Sequence, residues 1–192
     1  MFGFFKRHLN KHSLLITDAT IDDLSQLRDV SIATFKETYI DYIKTKSDSE
    51  IEAELEDIYN LEKLKEWIMN TNHHCLVVRT KSQPQKIVGY SLMVLETPQA
   101  KLSKIYLLRA YQGKGLGQVL LEANYDCLRA NPEIESLSLE VWEKNQAAKK
   151  FYKRMGFRET GDKTVYSGSD PHNPFYDEVL VRDKVSFTIT NS

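Results

Sequence analysis

Ile105-Tyr106-Leu107-Leu108-Arg109-Ala110-Tyr111-Gln112-Gly113-Lys114-Gly115-Leu116-Gly117 is an apolar run that breaks into a glycine-dense turn and restarts at once as a helix pattern. Leu116, Val119, Leu120, Ala123 and Cys127 recur at helical spacing. Three of the eight glycines fall within five residues, so the turn is not background composition. Strand, glycine loop and helix in that order present bare backbone N–H groups at a helix N-terminus. Such a site suits an anion, most often a phosphate.

Two common phosphate loops do not fit. A nucleotide-hydrolysing loop needs Ser or Thr after Gly-Lys to hold magnesium, and here Gly113-Lys114 is followed by Gly115. A dinucleotide fold carries G-x-G-x-x-G early, with an acid about 20 residues on. Here the pattern is G-x-G-x-G, late in the chain, after three helical segments.

Upstream of the loop, Leu14-Leu15-Ile16-Thr17 reads as a strand and Thr20 as a helix cap, with Asp22 and Asp23 in the first turn. Leu24, Leu27, Val30, Ser31, Thr34 and Phe35 form one helical face. Tyr39 and Tyr42 are expected in a loop. Ser47–Ile58 is an acidic amphipathic helix with Ile51, Leu55 and Ile58 inward. Asn60 caps a further short helix carrying Leu61, Leu64, Trp67 and Ile68. Cys75–Val78 and Ile87–Leu95 read as a hairpin around a turn at Lys81–Gln85, the second strand buried on both faces. Leu102–Leu108 feeds the loop.

Downstream, the helix runs to about Ala130, before Pro132. Leu137, Leu139 and Val141 alternate with polar neighbours on a strand, which makes a parallel βαβ unit. Asn145 caps a helix with Ala147, Ala148, Phe151, Tyr152 and Met155 inward, and Gly156 as its C-cap. Phe157, Val165–Tyr166, Val179–Val181 and Val185–Ile189 suggest final strands, joined by a polar loop at Ser167–Pro174. There is no internal repeat or linker. The reading is one α/β domain over 14–189 with an N-terminal arm at 1–13, expected to be short and mobile.

Q-x-x-G-x-G (Gln112, Gly115, Gly117) after a strand and before a helix resembles the pyrophosphate loop of the GCN5-related N-acetyltransferases. About thirty residues on, Asn145-Gln146-Ala147-Ala148-Lys149-Lys150-Phe151-Tyr152-Lys153-Arg154-Met155-Gly156-Phe157 is similar to that superfamily's N-x-x-A-x-x-F-Y-x-x-x-G-F motif. The resemblance implies a central mixed, mostly antiparallel sheet with helices on both faces and a splayed parallel strand pair, Leu102–Leu108 and Ser136–Trp142. It implies acetyl-CoA as co-substrate and no metal.

The same resemblance assigns roles. The backbone of Ile105, Tyr106 and Leu107 would pair with the pantetheine arm like an added strand. Gln112, Gly113, Lys114, Gly115, Leu116 and Gly117 would take the pyrophosphate, because a Cβ would hold the phosphate away. Arg109 and Lys114 could add charge, though basic residues near a loop are often only solvated. Asn145 caps its helix and, by resemblance, also contacts the cofactor. Tyr152 resembles the general acid that protonates the departing thiolate. A thiol near pKa 8.5 leaves more readily when a phenol near 10 hydrogen-bonds its sulfur. The acceptor amine must lose a proton before attack. Some members carry an acid on the first splayed strand, where this chain has Lys101, Ser103 and Lys104. Glu140 lies in an L-E-V stretch similar to one in ribosomal-protein N-acetyltransferases, whose glutamate acts as base. A water-relayed deprotonation is the alternative.

Ser31–Tyr39, Val141–Asn145 and Met155–Gly161 resemble the bacterial PaiA-type polyamine N-acetyltransferases, from which Glu140 is a departure. The expected acceptor is a primary amine, including polyamines such as spermidine or spermine. Glu37, Tyr39, Tyr42 and Asp177, with Asp170, lie in segments expected to wall it, since a polycation wants carboxylates and aromatic faces. A peptide N-terminus or lysine is an alternative acceptor. A non-catalytic CoA-binding regulatory domain is an alternative function. The superfamily has monomers and dimers, so a homodimer is left open.

Composition narrows the partners. Net charge is −1 over 192 residues, with 41% hydrophobic and 28% charged residues. That profile argues against a nucleic-acid binder relying on global charge, and leaves room for a local basic patch. No run is long enough to span a membrane. Phe2, Phe4 and Phe5 precede Lys6 and Arg7, the reverse of a signal-peptide order. Cys75 and Cys127 are isolated in apolar patterns, as in a reducing cytoplasm, and have no metal-ligand spacing.

Overall fold

The computed structural model describes residues 6–9, 14–82, 85–166 and 174–183, the first of these by backbone alone. In chain order the elements are β1 (Lys6–Leu9), β2 (Leu14–Asp18), α1 (Leu24–Thr38), α2 (Ile40–Ile43), α3 (Asp48–Tyr59), α4 (Leu61–Met69), β3 (His73–Thr80) and β4 (Ile87–Val94). Then come β5 (Gln99–Leu107), α5 (Leu116–Ala130), β6 (Ser136–Trp142), α6 (Gln146–Arg154), β7 (Arg158–Val165) and β8 (Tyr176–Asp183). Hydrogen bonding orders the strands β1-β2-β3-β4-β5-β6-β8-β7. The sheet is mixed. Its parallel pair, β5 with β6, joins Gln99↔Ser136 through Lys101↔Ser138. The ladder ends there, and β5 continues to Leu107.

Contacts divide the described residues into two compact units. The first holds the chain up to Leu92 together with Lys104–Ala123, and the second holds Met93–Ser103 together with the chain from Asn124. Strands β4 and β5 and helix α5 each contribute to both.

In the first unit, Leu116, Leu120 and Ala123 of α5 pack against Leu14, Ile16, Leu76, Val78, Val88 and Leu107. The helix starts follow their caps. Thr20 gives its N–H and hydroxyl to the Asp23 carboxylate at 2.8 and 3.1 Å. Asp23 is buried and also takes two guanidinium bonds from Arg79, at 3.0 and 2.9 Å. Ser47 and Glu50 bond reciprocally at the start of α3, a capping box. Asn60 Oδ1 accepts from Lys63 N–H at 2.9 Å at the start of α4. The β3–β4 hairpin closes through Thr80 N–H to Lys86 C=O at 2.9 Å.

Phe35, Tyr59, Trp67, Tyr90, Tyr106 and Tyr39 form a closed circuit of ring contacts in this unit. Five of the six neighbouring pairs have centroids 4.9 to 6.2 Å apart. The sixth is a hydroxyl contact between Tyr39 and Tyr106 at 3.2 Å. Burial raises the phenol pKa of Tyr59 and of Tyr90.

Three expectations change. Tyr42 lies in a short helix, α2, not a loop. The inner stripe of α3 is Ile51, Leu55 and Tyr59, one position beyond the expected Ile58, because the acidic helix runs a residue further. Lys6–Leu9, placed in a mobile arm by sequence, is a strand paired antiparallel with Leu14–Thr17. The expected strand at Val185–Ile189 lies outside the described residues, as does nearly all of the loop at Ser167–Pro174.

Candidate active site

The glycine loop and the strand end that leads into it belong to the first unit. Gly89 sits mid-strand in β4, where a Cβ would lie 2.4 Å from Leu107 Cδ2 and 2.7 Å from the Tyr106 carbonyl oxygen. Only glycine lets the end of β5 come this close, and Leu108 N–H then reaches Val88 C=O at 2.9 Å. A glycine inside an apolar strand pattern was the available signal for this position.

A 3₁₀ turn, Arg109–Tyr111, follows β5 and leads into Gln112. Gly113 and Gly115 have φ of +71° and +77°, a region costly for other residues. A Cβ at either would meet nothing within 4 Å, so conformation, not crowding by protein, demands glycine there. Gly117 differs: it lies within α5, whose first residue is Leu116. The loop's side chains are tied to its own backbone. Gln112 Nε2 donates to Leu107 C=O at 2.8 Å and Lys114 Nζ to Ala110 C=O at 2.7 Å. Lys114 also lies over the Tyr111 ring, 5.7 Å from its centroid.

The four residues expected to wall the acceptor fall in different settings. Tyr39 is half-buried, with its hydroxyl on that of Tyr106. Tyr42 is 2% exposed and donates to Glu54 at 2.8 Å. Its burial, before the opposing effects of Lys46 and Glu54, pushes the phenol pKa up to about 12. That makes Tyr42 a core residue. The exposed Glu37 carboxylate accepts the backbone N–H of Arg109 at 2.8 Å. Asp177 is half-buried in β8, in register with Trp142 of β6 and Thr164 of β7.

Glu140, Asn145 and Tyr152 belong to the second unit. Glu140 lies on β6 and pairs with Lys101 Nζ of β5 at 2.9 Å, both side chains partly exposed. Lys101 is therefore the partner of the candidate base. Asn145 caps α6, its Oδ1 accepting from Ala148 N–H at 3.1 Å. Tyr152 is 8% exposed, between the rings of Phe151 and Phe157. Helix α6 ends in a Schellman turn: Gly156 N–H bonds Lys153 C=O at 3.1 Å and Phe157 N–H bonds Tyr152 C=O at 3.0 Å. Gly156 has φ of +85°. The buried Arg182 guanidinium, unmarked in the sequence motifs, bonds Met155 C=O and the Tyr125 hydroxyl.

Positive-φ glycines with open space before them, and a strand end held by Gly89, fit a diphosphate carried on a pantetheine arm. Among the described residues, no group of three or more His, Cys, Asp or Glu side chains could hold a metal ion. No helix among them is long and apolar enough to cross a membrane.

The sequence profile of the acetyltransferase (GNAT) family matches residues 35–157. An uncharacterized N-acetyltransferase of Mycobacterium bovis is 32% identical over 115 residues, covering 56% of this chain and 67% of the relative. The PaiA N-acetyltransferase of Thermoplasma acidophilum, solved with coenzyme A, superposes with a TM-score of 0.69 at 23% identity. That match covers 89% of this chain and 99% of the other. The ribosomal-protein-S18-alanine N-acetyltransferase of Escherichia coli superposes with a TM-score of 0.66 at 17% identity, covering 93% and 98%. At these identities the two solved structures establish the fold.

Proposed function

This chain belongs to the acetyltransferase (GNAT) family and is an acetyl-CoA-dependent N-acetyltransferase, and we propose that it acylates a primary amine directly, with Glu140 as base and Tyr152 as acid. Acetyl-CoA supplies an activated acetyl thioester. Gly113–Gly117 would hold its diphosphate on backbone N–H groups, with Gln112, whose own N–H is on Arg109 C=O, opening the loop, and the backbone of Ile105–Leu107 would hold the pantetheine arm. Asn145 adds a cofactor contact beside its capping bond.

An amine is protonated at neutral pH and has no lone pair for attack. Glu140 removes that proton. Its carboxylate pairs with Lys101 Nζ at 2.9 Å. Tyr152, a phenol held in an apolar setting, passes its proton to the sulfur as the C–S bond breaks. The observation that supports this reading is the fixing of Tyr152 by the end of α6, where its carbonyl accepts Phe157 N–H at 3.0 Å.

The acceptor we favour is a small primary amine, polyamines included, with Asp177, in the same unit as Glu140 and Tyr152, as its contact. Purified protein is incubated with acetyl-CoA and a panel of polyamines, peptides and small monoamines while free thiol is followed. Spermidine-dependent thiol release supports the polyamine reading. Release with peptides alone moves the acceptor to a protein N-terminus or lysine. No release with any amine, alongside measurable CoA binding, leaves a CoA-binding regulatory domain.

A further inference from the structure

We propose that Glu37 is a positioning residue for the diphosphate loop, an inference that rests on the donor reading above and moves Glu37 from acceptor to donor. Glu37 lies in the last turn of α1, and its Oε2 accepts from the backbone N–H of Arg109 at 2.8 Å. Arg109 opens the 3₁₀ turn. The first N–H groups of a helical turn have no partner within it, and an acceptor placed there satisfies the donor.

From that anchored N–H the turn propagates. Tyr111 N–H bonds Leu108 C=O at 2.8 Å and Gln112 N–H bonds Arg109 C=O at 3.2 Å. Gln112 is where the loop begins. Gln112 and Lys114 hold the loop from within through Leu107 C=O and Ala110 C=O. Glu37 holds its entry from 72 residues away in sequence. Fixing the loop before the ligand arrives removes an ordering cost from binding. The acceptor atom performs this role, not the charge. A carboxylate near an anion site is an electrostatic burden, so a neutral acceptor of the same shape should serve at least as well.

The test measures the Kd of CoA for wild type, Glu37→Ala and Glu37→Gln, with turnover of S-acetylpantetheine, a donor that lacks the diphosphate. Glu37→Ala should weaken CoA about five- to tenfold, the scale of one hydrogen bond. It should leave kcat/KM for S-acetylpantetheine unchanged. Glu37→Gln should restore CoA affinity. Arg109→Pro deletes the donor N–H, and Leu108, at φ −52° and ψ 140°, already has the backbone that a following proline requires. In that background Glu37→Ala should cost nothing more. Equal CoA affinity in wild type and Glu37→Ala overturns the proposal. So does an equal loss with both donors, no rescue by glutamine, or additive losses in the double variant. Failure of the wild type itself to bind CoA would instead overturn the donor reading.

Discussion

Phe157 N–H donates to the Tyr152 carbonyl at 3.0 Å, and the rings of the same two residues lie 5.6 Å apart at 66°. The bond closes the helix and the ring contact is the apolar partner such closures commonly carry. The candidate acid is thereby placed by its helix end. Tyr152→Phe retains this packing and removes only the hydroxyl. The melting temperature and CoA affinity should stay close to wild type while kcat falls about 10²-fold or more, the range for loss of a general acid. Rates and a CoA titration on one preparation check this, and unchanged kcat removes Tyr152 from the chemistry.

Gly156→Ala attacks the same closure from the other side. A left-handed residue with a Cβ costs about 1–2 kcal/mol, and here the Cβ would also sit 3.2 Å from Arg182 Cζ. In a protein of this size that is a drop of about 2–8 °C in Tm. A shift in the position of Tyr152 should lower kcat as well. Thermal melts and turnover read both effects.

Glu140→Gln keeps the shape of the side chain and ends its capacity to take a proton. A general base contributes about 10²–10⁴-fold. The expected result is a kcat loss in that range with little change in CoA affinity, and a pH–rate profile that loses its acidic limb. A profile that keeps that limb assigns the base elsewhere. Lys101→Met, which removes the ion-pair partner of Glu140, should leave CoA affinity unchanged in the same titration. The exposed pair itself contributes only about 0–1 kcal/mol to stability.

The glycine loop and the α6 motif were legible because both are local: turn conformation, capping and helix spacing are written within a dozen residues. The Lys101–Glu140 pair follows one step later. Once Lys101 is known to register with Ser138, Glu140 is the diagonal neighbour two residues on, within reach of a long side chain. Glu37 was visible as an acid near the site, but its partner was not. A bond across 72 residues to a backbone N–H has no local signature. Tyr42 was misplaced in a loop because α2 is a single turn, too short for a periodic pattern.

Gly115 and Gly113 separate conformation from chemistry. Valine at φ +77° is a severe outlier for a β-branched residue, so Gly115→Val should reshape the loop. CoA affinity should drop more than about tenfold, the equivalent of roughly 1.4 kcal/mol. Asparagine tolerates the left-handed region, and nothing lies within 4 Å of a Cβ at Gly113. Gly113→Asn should therefore fold normally, and any CoA loss it shows measures how close the diphosphate comes. Normal CoA binding by Gly115→Val would place the anion elsewhere.

Alkaline pH tests the buried tyrosines. The Tyr42 pKa is raised from 10.0 to about 12, and burial raises those of Tyr59 and Tyr90. A raised folded-state value means the neutral phenol is favoured by folding. Its contribution is complete below pH 10, the unfolded value, and is lost as pH rises towards the folded value. Stability should hold up to about pH 10 and then fall. Phenolate absorbance of the folded protein should show these three of the ten tyrosines silent until the chain unfolds. Tyr42→Phe removes one titrating group and leaves the Lys46–Glu54 pair at 3.1 Å. Its stability should fall less steeply between pH 10 and 12 than that of the wild type. A Tyr42 that ionises reversibly near pH 10 in the folded protein would contradict its burial and reopen its place on the acceptor wall.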